Sequence, residues 1–93
     1  MFFRNSSLFK SGEESSIGGF VSLGPGVTIG KRVSIGAEAK IAPGVTVCDY
    51  AKIGACVIIS PFITIGEGSE VTIGSLVTES IPPNTKVQGN PAK

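Results

Sequence analysis

Aliphatic residues occupy every sixth position from Ile17 to Val77: Ile17, Leu23, Ile29, Ile35, Ile41, Val47, Ile53, Ile59, Ile65, Val71 and Val77. Ile, Leu and Val fill only 23 of the 93 positions, so an unbroken run of eleven marks a structural period. The residue after each aliphatic is small or compact, from Gly18, Gly24, Gly30 and Gly36 through Ala42, Cys48, Gly54, Ser60 and Gly66 to Thr72 and Thr78. Four residues after each aliphatic stands another compact side chain, from Val21 to Ile81. Side chains alternate faces along a strand. The aliphatic and the compact residue two before it therefore point inward, and the residue between them points out. The Gly after the aliphatic marks where the chain leaves the strand, a place that needs unusual dihedrals or close approach. Six residues thus make one short strand and one corner. A period of 3.6 would spread the aliphatics over every face of a helix.

A longer period lies on top. Pro25-Gly26-Val27-Thr28-Ile29-Gly30 recurs eighteen residues later as Pro43-Gly44-Val45-Thr46-Val47-Cys48, and again as Pro61-Phe62-Ile63-Thr64-Ile65-Gly66. Three strands and three corners close one triangular coil. The full coils are 23–40, 41–58 and 59–76, with partial coils before and after. Stacking predicts one outward ladder of Thr28, Thr46 and Thr64 and one edge of Pro25, Pro43 and Pro61. Each coil covers its neighbours' core and strand edges, so stability grows with the stack. An open end would expose apolar core and unpaired edges, and Phe2, Phe3, Leu8 and Phe9 are placed to cover the first coil. The organisation expected is an N-terminal cap segment (1–16), a repeat-built β-helix (17–81) and an irregular C-terminal tail (82–93). The last would leave the stack at Pro82-Pro83. The fold class is all-β: a parallel β-helix of about three 18-residue coils.

Composition narrows the chemistry. The net charge is +1, with no basic excess to grip nucleic acid or an anionic membrane. No apolar run reaches the length of a membrane span, and the N-terminus lacks a signal-peptide stretch. The two cysteines, Cys48 and Cys56, make no disulfide framework and suit a reduced, cytoplasmic chain. These 93 residues contain no histidine, which removes the commonest general base and metal ligand. Two thiols are too few for a cysteine-built zinc site, so no metal is expected. Lys40, Lys52, Asp49, Tyr50, Glu38, Glu67 and Glu70 all fall on corners or outward positions, where a solvated role is the ordinary one. Lys52 and Glu70 are in register one coil apart, as are Lys40 and Ile58. A carboxylate could serve as a base if desolvation raised its pKa, but nothing in the pattern selects one. Cys56 at a corner and Cys48 just after a strand read as filler, since a nucleophilic thiol needs a base or cation beside it. One aligned Thr per coil is ordinary on a β surface.

The repeated Ile-Gly-x-x-Val-x resembles the signature of the bacterial hexapeptide-repeat transferase family. Ile65-Gly66-Glu67-Gly68-Ser69, Val77-Thr78-Glu79-Ser80-Ile81-Pro82-Pro83-Asn84 and Gly89-Asn90-Pro91-Ala92-Lys93 resemble the last coil and tail of its sugar O- and N-acetyltransferases. The resemblance implies a left-handed helix, a homotrimer with sites in clefts between subunits, and acetyl-CoA as acyl donor along the later coils. Carried to this chain, it implies that Gly66, Gly68, Gly74, Ser75 and Lys93 hold the cofactor, with the cationic Lys93 near its phosphates. The implied reaction is acetyl transfer to a small sugar hydroxyl or amine. Relatives carry a His before the stretch matching Ile41-Ala42-Pro43-Gly44, and here that residue is Lys40. No N-terminal domain for a nucleotide-sugar acceptor is expected. The catalytic residue therefore stays unassigned. The alternative is a catalytically silent, His-less trimeric β-helix serving as a binding or assembly module.

Overall fold

A computed structural model describes residues 9–11 and 14–91. The expected capping residues Phe2, Phe3 and Leu8 lie outside the described residues, as does Lys93. The described chain is all strand, corner and turn, with no helix. Its strands are β1 (Phe9–Ser11), β2 (Ser16–Ile17), β3 (Ser22–Leu23), β4 (Val27–Ile29), β5 (Ser34–Ile35), β6 (Lys40–Ile41) and β7 (Thr46–Val47). They continue with β8 (Lys52–Ile53), β9 (Ile58–Ile59), β10 (Thr64–Ile65), β11 (Glu70–Val71), β12 (Leu76–Val77) and β13 (Lys86–Val87).

Every third strand stacks. The first sheet runs β1-β4-β7-β10, the second β2-β5-β8-β11-β13 and the third β3-β6-β9-β12. All pairings are parallel, and the molecule is a left-handed parallel β-helix of about four turns. The register matches the eighteen-residue period: Thr28 faces Thr46 and Thr46 faces Thr64, while Lys52 faces Glu70 and Lys40 faces Ile58. Inside the prism lie the aliphatics of the six-residue series from Ile29 to Val77, all buried, together with Val21, Val27, Val33, Ala39, Val45, Ala51, Val57 and Ile63. Ile17 and Leu23, in the first turn, are half-buried against this core. Small inward residues at the corners and larger ones on the flats fill a narrow triangle. No Trp is needed to do so.

The corners divide two tasks that the sequence pattern merges. The Gly after each aliphatic sits under the next coil: a Cβ added at Gly36 would stand 2.4 Å from Ala55 N and 2.7 Å from Ala55 Cα. Close approach, not dihedral freedom, excludes a side chain there. The left-handed residue comes two positions later, and most of its occupants are not glycine. Phe20, Arg32, Glu38, Tyr50, Cys56, Phe62 and Asn84 all hold φ between 55° and 64°. This conformation costs an L-residue roughly 1 kcal/mol or more, and the hydrogen bonds around each corner hold it. Cys56 N–H donates to Ala37 O at 3.0 Å, and Tyr50 N–H donates to Lys31 O at 2.9 Å.

The chain does not leave the stack at Pro82-Pro83. Ile81 pairs with Ile65, sixteen residues back instead of eighteen. The next strand, β13, pairs with β11 through Lys86–Glu70 and Val87–Val71. Only three residues, Thr78, Glu79 and Ser80, separate Val77 from Ile81, where five separate Ile59 from Ile65. The shortened corner moves Ile81 out of the compact-corner series and into the aliphatic one. Two buried serines fasten this last turn. Ser69 Oγ donates to Pro82 O at 2.5 Å, and Ser75 Oγ accepts from Gly89 N–H at 3.2 Å.

Candidate functional site

The outward residues give each face its own chemistry. The first sheet shows Thr28, Thr46 and Thr64. The second shows Ser16, Ser34, Lys52, Glu70 and Lys86, a fully polar ladder. The third shows Ser22, Lys40, Ile58 and Leu76, flanked at its corners by exposed Phe20 and Ile73.

A groove of about 780 Å³ runs along the first face. The threonine ladder lines it. So do the corner residues Cys48, Asp49, Gly66 and Glu67, stacked from successive coils, and Ser80, Pro82 and Pro83 from the shortened turn. The stacking of Asp49 and Glu67 follows from the eighteen-residue repeat, since each stands two residues after its strand aliphatic. Asp49 is fixed: its Oδ1 accepts the Lys31 backbone N–H at 3.0 Å. Ser80 Oγ accepts Thr64 N–H at 3.1 Å and thereby brings the shortened corner against the face. A second groove, of about 510 Å³, is lined by Phe20, Glu38, Lys40, Cys56 and Ile58. There Cys56 Sγ lies 3.8 Å from Glu38 Oε1. Lys40, standing where the resemblance places a histidine, faces this second groove and not the first.

The sequence-selected cofactor residues separate onto two corners. Gly66 and Gly68 share the corner after β10, and Gly66 lines the first groove. Gly74 and Ser75 share the corner after β11. Gly74 has φ 75° and nothing within 4 Å of where a Cβ would be, so that corner is open to a close neighbour. Ser75 is 2% exposed, and its groups are committed inside the prism: Oγ lies 3.0 Å from Thr72 Oγ1, and its carbonyl accepts Ile58 N–H. The N–H groups of Gly66, Gly68 and Gly74 donate to Ile81, Asp49 and Ala55 carbonyls within the stack. None of the three offers a free donor, and only Gly74 offers room: a Cβ at Gly66 would stand 2.4 Å from Pro83 N and one at Gly68 2.6 Å from Asn84 Oδ1, so the chain itself fills those spaces. Sequence reasoning named Asp49 and Glu67 as exposed candidates without joining them to Ser80. Their meeting depends on the shortened turn, which the repeat count hides. Among the described residues no group of three or more His, Cys, Asp or Glu side chains is placed to hold a metal ion.

Residues 29–61 match the family model "Bacterial transferase hexapeptide (six repeats)". Among solved structures, the chain is similar to the soybean serine acetyltransferase apoenzyme, at 30% identity and a TM-score of 0.85. That match covers 92% of this chain and 40% of the soybean chain, so the sequence spans about two fifths of the enzyme's length. A hexapeptide-repeat containing acetyltransferase from Vibrio cholerae matches at 25% identity and a TM-score of 0.74, over 95% of this chain and 73% of that one. The Vibrio protein has also been solved in complex with acetyl coenzyme A; that structure shares the fold at 22% identity and a TM-score of 0.64, over 95% of this chain and 70% of that one. No curated protein matches the chain by sequence.

Proposed function

We propose that the chain, whose residues 29–61 match the bacterial transferase hexapeptide model, is the β-helical part of an acetyl-CoA-dependent acyltransferase, acting on a sugar hydroxyl or amine. The observation that carries the acetyl-transfer part of this reading is the fit to the soybean serine acetyltransferase over 92% of the chain at 30% identity; the sugar acceptor comes from the resemblance of the last coil and tail. The groove along the threonine face is the reaction site in this reading, and a neighbouring subunit of a homotrimer closes it. Acetyl-CoA lies along the later coils, against the corners at Gly66, Gly68 and Gly74, of which the Gly74 corner has open space where a side chain would stand. Ser75 holds the Gly74 corner from within, and Lys93 supplies a cation for the phosphates. The bound thioester provides the activated acetyl group; the groove's part is to align the acceptor with it and exclude water. A reduced, cytoplasmic setting agrees with both cysteines being free thiols.

One observation favours a second reading. With no histidine in these residues, the usual base is absent, and a silent trimeric scaffold for binding or assembly would have the same fold. Calorimetric titration with acetyl-CoA, followed by assay of thioester loss against a panel of amino sugars and sugar alcohols, separates the two. Binding with turnover is the expected result. Binding without turnover supports the silent scaffold, and no binding at all removes the enzyme reading. Light scattering should report a trimer; a monodisperse monomer would refute the shared-cleft model.

A further inference from the structure

Four of the five large hydrophobic side chains exposed among the described residues gather on one side of the prism. Ile58 lies on the third face itself. Phe20 and Ile73 stand on the corner that leads into it from the second sheet, and Phe62 on the corner that leads out of it to the first. Phe20, Phe62 and Ile73 are 84%, 81% and 72% exposed. The other two faces turn hydroxyls and charges outward. An apolar patch that spans a whole face marks a surface that meets another molecule.

The patch carries its own complement. Phe20, Glu38, Cys56 and Gly74 form one column along the corner, spaced by eighteen residues, with Gly19, Ala37, Ala55 and Ile73 beside it. Bulk lies at opposite ends of these columns, and so does space. At Gly19 and at Gly74 nothing stands within 4 Å of where a Cβ would be. Turning a second copy end over end, about a two-fold axis across the middle of the face, reverses the order of the coils and keeps the corner. Phe20 then meets the partner's Gly74, and Ile73 meets the partner's Gly19. Each contact occurs twice, as an isologous interface requires. We infer that two copies of this chain pair antiparallel through the third face, each seating Phe20 on the open Gly74 corner of the other.

The rest of the face fits the same pairing. The strand order β3-β6-β9-β12 sets β6 against the partner's β9. Lys40 lies across the partner's Ile58, its stem over the apolar side chain and its ammonium one level from the partner's Glu38. Among the described residues Lys40 has no ion pair within its own chain. Phe62 leans over Gly44 toward the middle of the stack, so the two copies' rings come together at the axis. A face on a molecule 31 Å long and 20 Å wide presents about 600 Å². Two such faces bury about 1,200 Å², the low end for a specific interface. Pairing leaves the threonine groove uncovered and does not depend on the trimer. It does cover the Gly74 corner, and there a consequence rests on the proposed function: acetyl-CoA and the partner compete, so the ligand favours separated copies.

The test is light scattering and sedimentation equilibrium of the native chain over a dilution series, without ligand. A dimer is expected, or a hexamer where the threonine-face trimer also forms. A monomer or a trimer at every concentration would overturn the inference. Phe20→Gly should raise the dissociation constant of the pair at least about tenfold, the effect of removing one aromatic anchor. It should fold as the native chain does, because the ring is exposed and φ 60° suits glycine. Gly74→Phe should also part the copies, by filling the space that the partner's ring uses; Phe20 shows that this column accepts a ring at positive φ. The double variant Phe20→Gly/Gly74→Phe moves the ring to the other end of the column and should restore pairing. Native pairing in both single variants would refute the register, and so would a double variant that is folded by circular dichroism yet stays apart. If Gly74→Phe does not fold, Phe20→Gly alone decides. Added acetyl-CoA should dissociate native pairs. Copies that stay paired with acetyl-CoA bound uphold the pairing and remove the cofactor from the Gly74 corner. Copies that bind acetyl-CoA and never pair do the reverse.

Discussion

Gly36→Ala isolates what holds the coils at contact distance. The added methyl carbon would stand 2.4 Å from Ala55 N, 2.7 Å from Ala55 Cα and 2.8 Å from Gly54 C. All three are backbone atoms of the next coil, so no side chain can swing aside. Relief requires the two coils to part by about 1 Å at that corner, since ordinary carbon contacts lie near 3.5–4.0 Å. Two hydrogen bonds span the gap there: Gly36 N–H to Ile53 O at 2.8 Å and Cys56 N–H to Ala37 O at 3.0 Å. Overpacking costs about 1–3 kcal/mol, and stretching one of these bonds adds about 1 kcal/mol, for a loss of roughly 2–4 kcal/mol. Gly74→Ala is the matched control. It has open space around the new methyl and pays only for φ 75°, about 1 kcal/mol. Urea unfolding followed by circular dichroism, at one fixed protein concentration, reads the difference. With a slope near ~1 kcal/mol per M for a domain this small, the Gly36→Ala midpoint should fall by roughly 2 M or more. If Gly36→Ala costs no more than Gly74→Ala, close packing of backbone on backbone is not what the repeat's glycine provides.

Other outcomes follow from the same packing. Ile59→Ala empties a site that is 1% exposed at mid-stack, and should cost about 2–5 kcal/mol in the same urea assay. Ser69→Ala removes the hydroxyl bonded to Pro82 O, so hydrogen exchange should quicken in residues 82–87 while β7 keeps its protection; unchanged exchange there would mean the last turn is held by other contacts. Arg32→Ala breaks the 2.7 Å pair with Glu14, but the two side chains are 58% and 62% exposed. The change in stability should stay below about 0.5 kcal/mol, and a larger loss would show the pair to be better shielded than its exposure implies.

The periodic part of this fold is written openly in the sequence. One inward side chain per strand, repeated every six residues, leaves a trace that counting alone recovers, and the eighteen-residue echo of the Pro-x-x-Thr segments sets the register of Thr28, Thr46 and Thr64. Two things stayed hidden. The left-handed corner position holds Phe20, Arg32, Glu38, Tyr50, Cys56 and Phe62 as well as glycine. Its conformation is imposed by the stack rather than by local preference, so composition carries no sign of it. The last turn is hidden because the two missing residues at Thr78–Ser80 throw the count out of step just where Pro82-Pro83 suggests an ending. Val87 is then never tested as a core residue, although it is buried. The groove inherits both difficulties. Asp49 and Glu67 are unremarkable singly, and they come together with Ser80 only once the shortened turn is in place.

The shortened turn also has a parity. Side chains alternate between inside and outside, so removing two residues leaves Ile81 and Val87 facing inward, whereas removing one would turn the rest of the chain inside out. A stack of this kind is a counting device that tolerates even changes at its corners and whole coils at its ends. Odd insertions between Ile17 and Val87 should be far more damaging than larger even ones. The ends of such a protein can lengthen or shorten freely by complete turns, while the position of a groove built on a corner is locked to the coils below it.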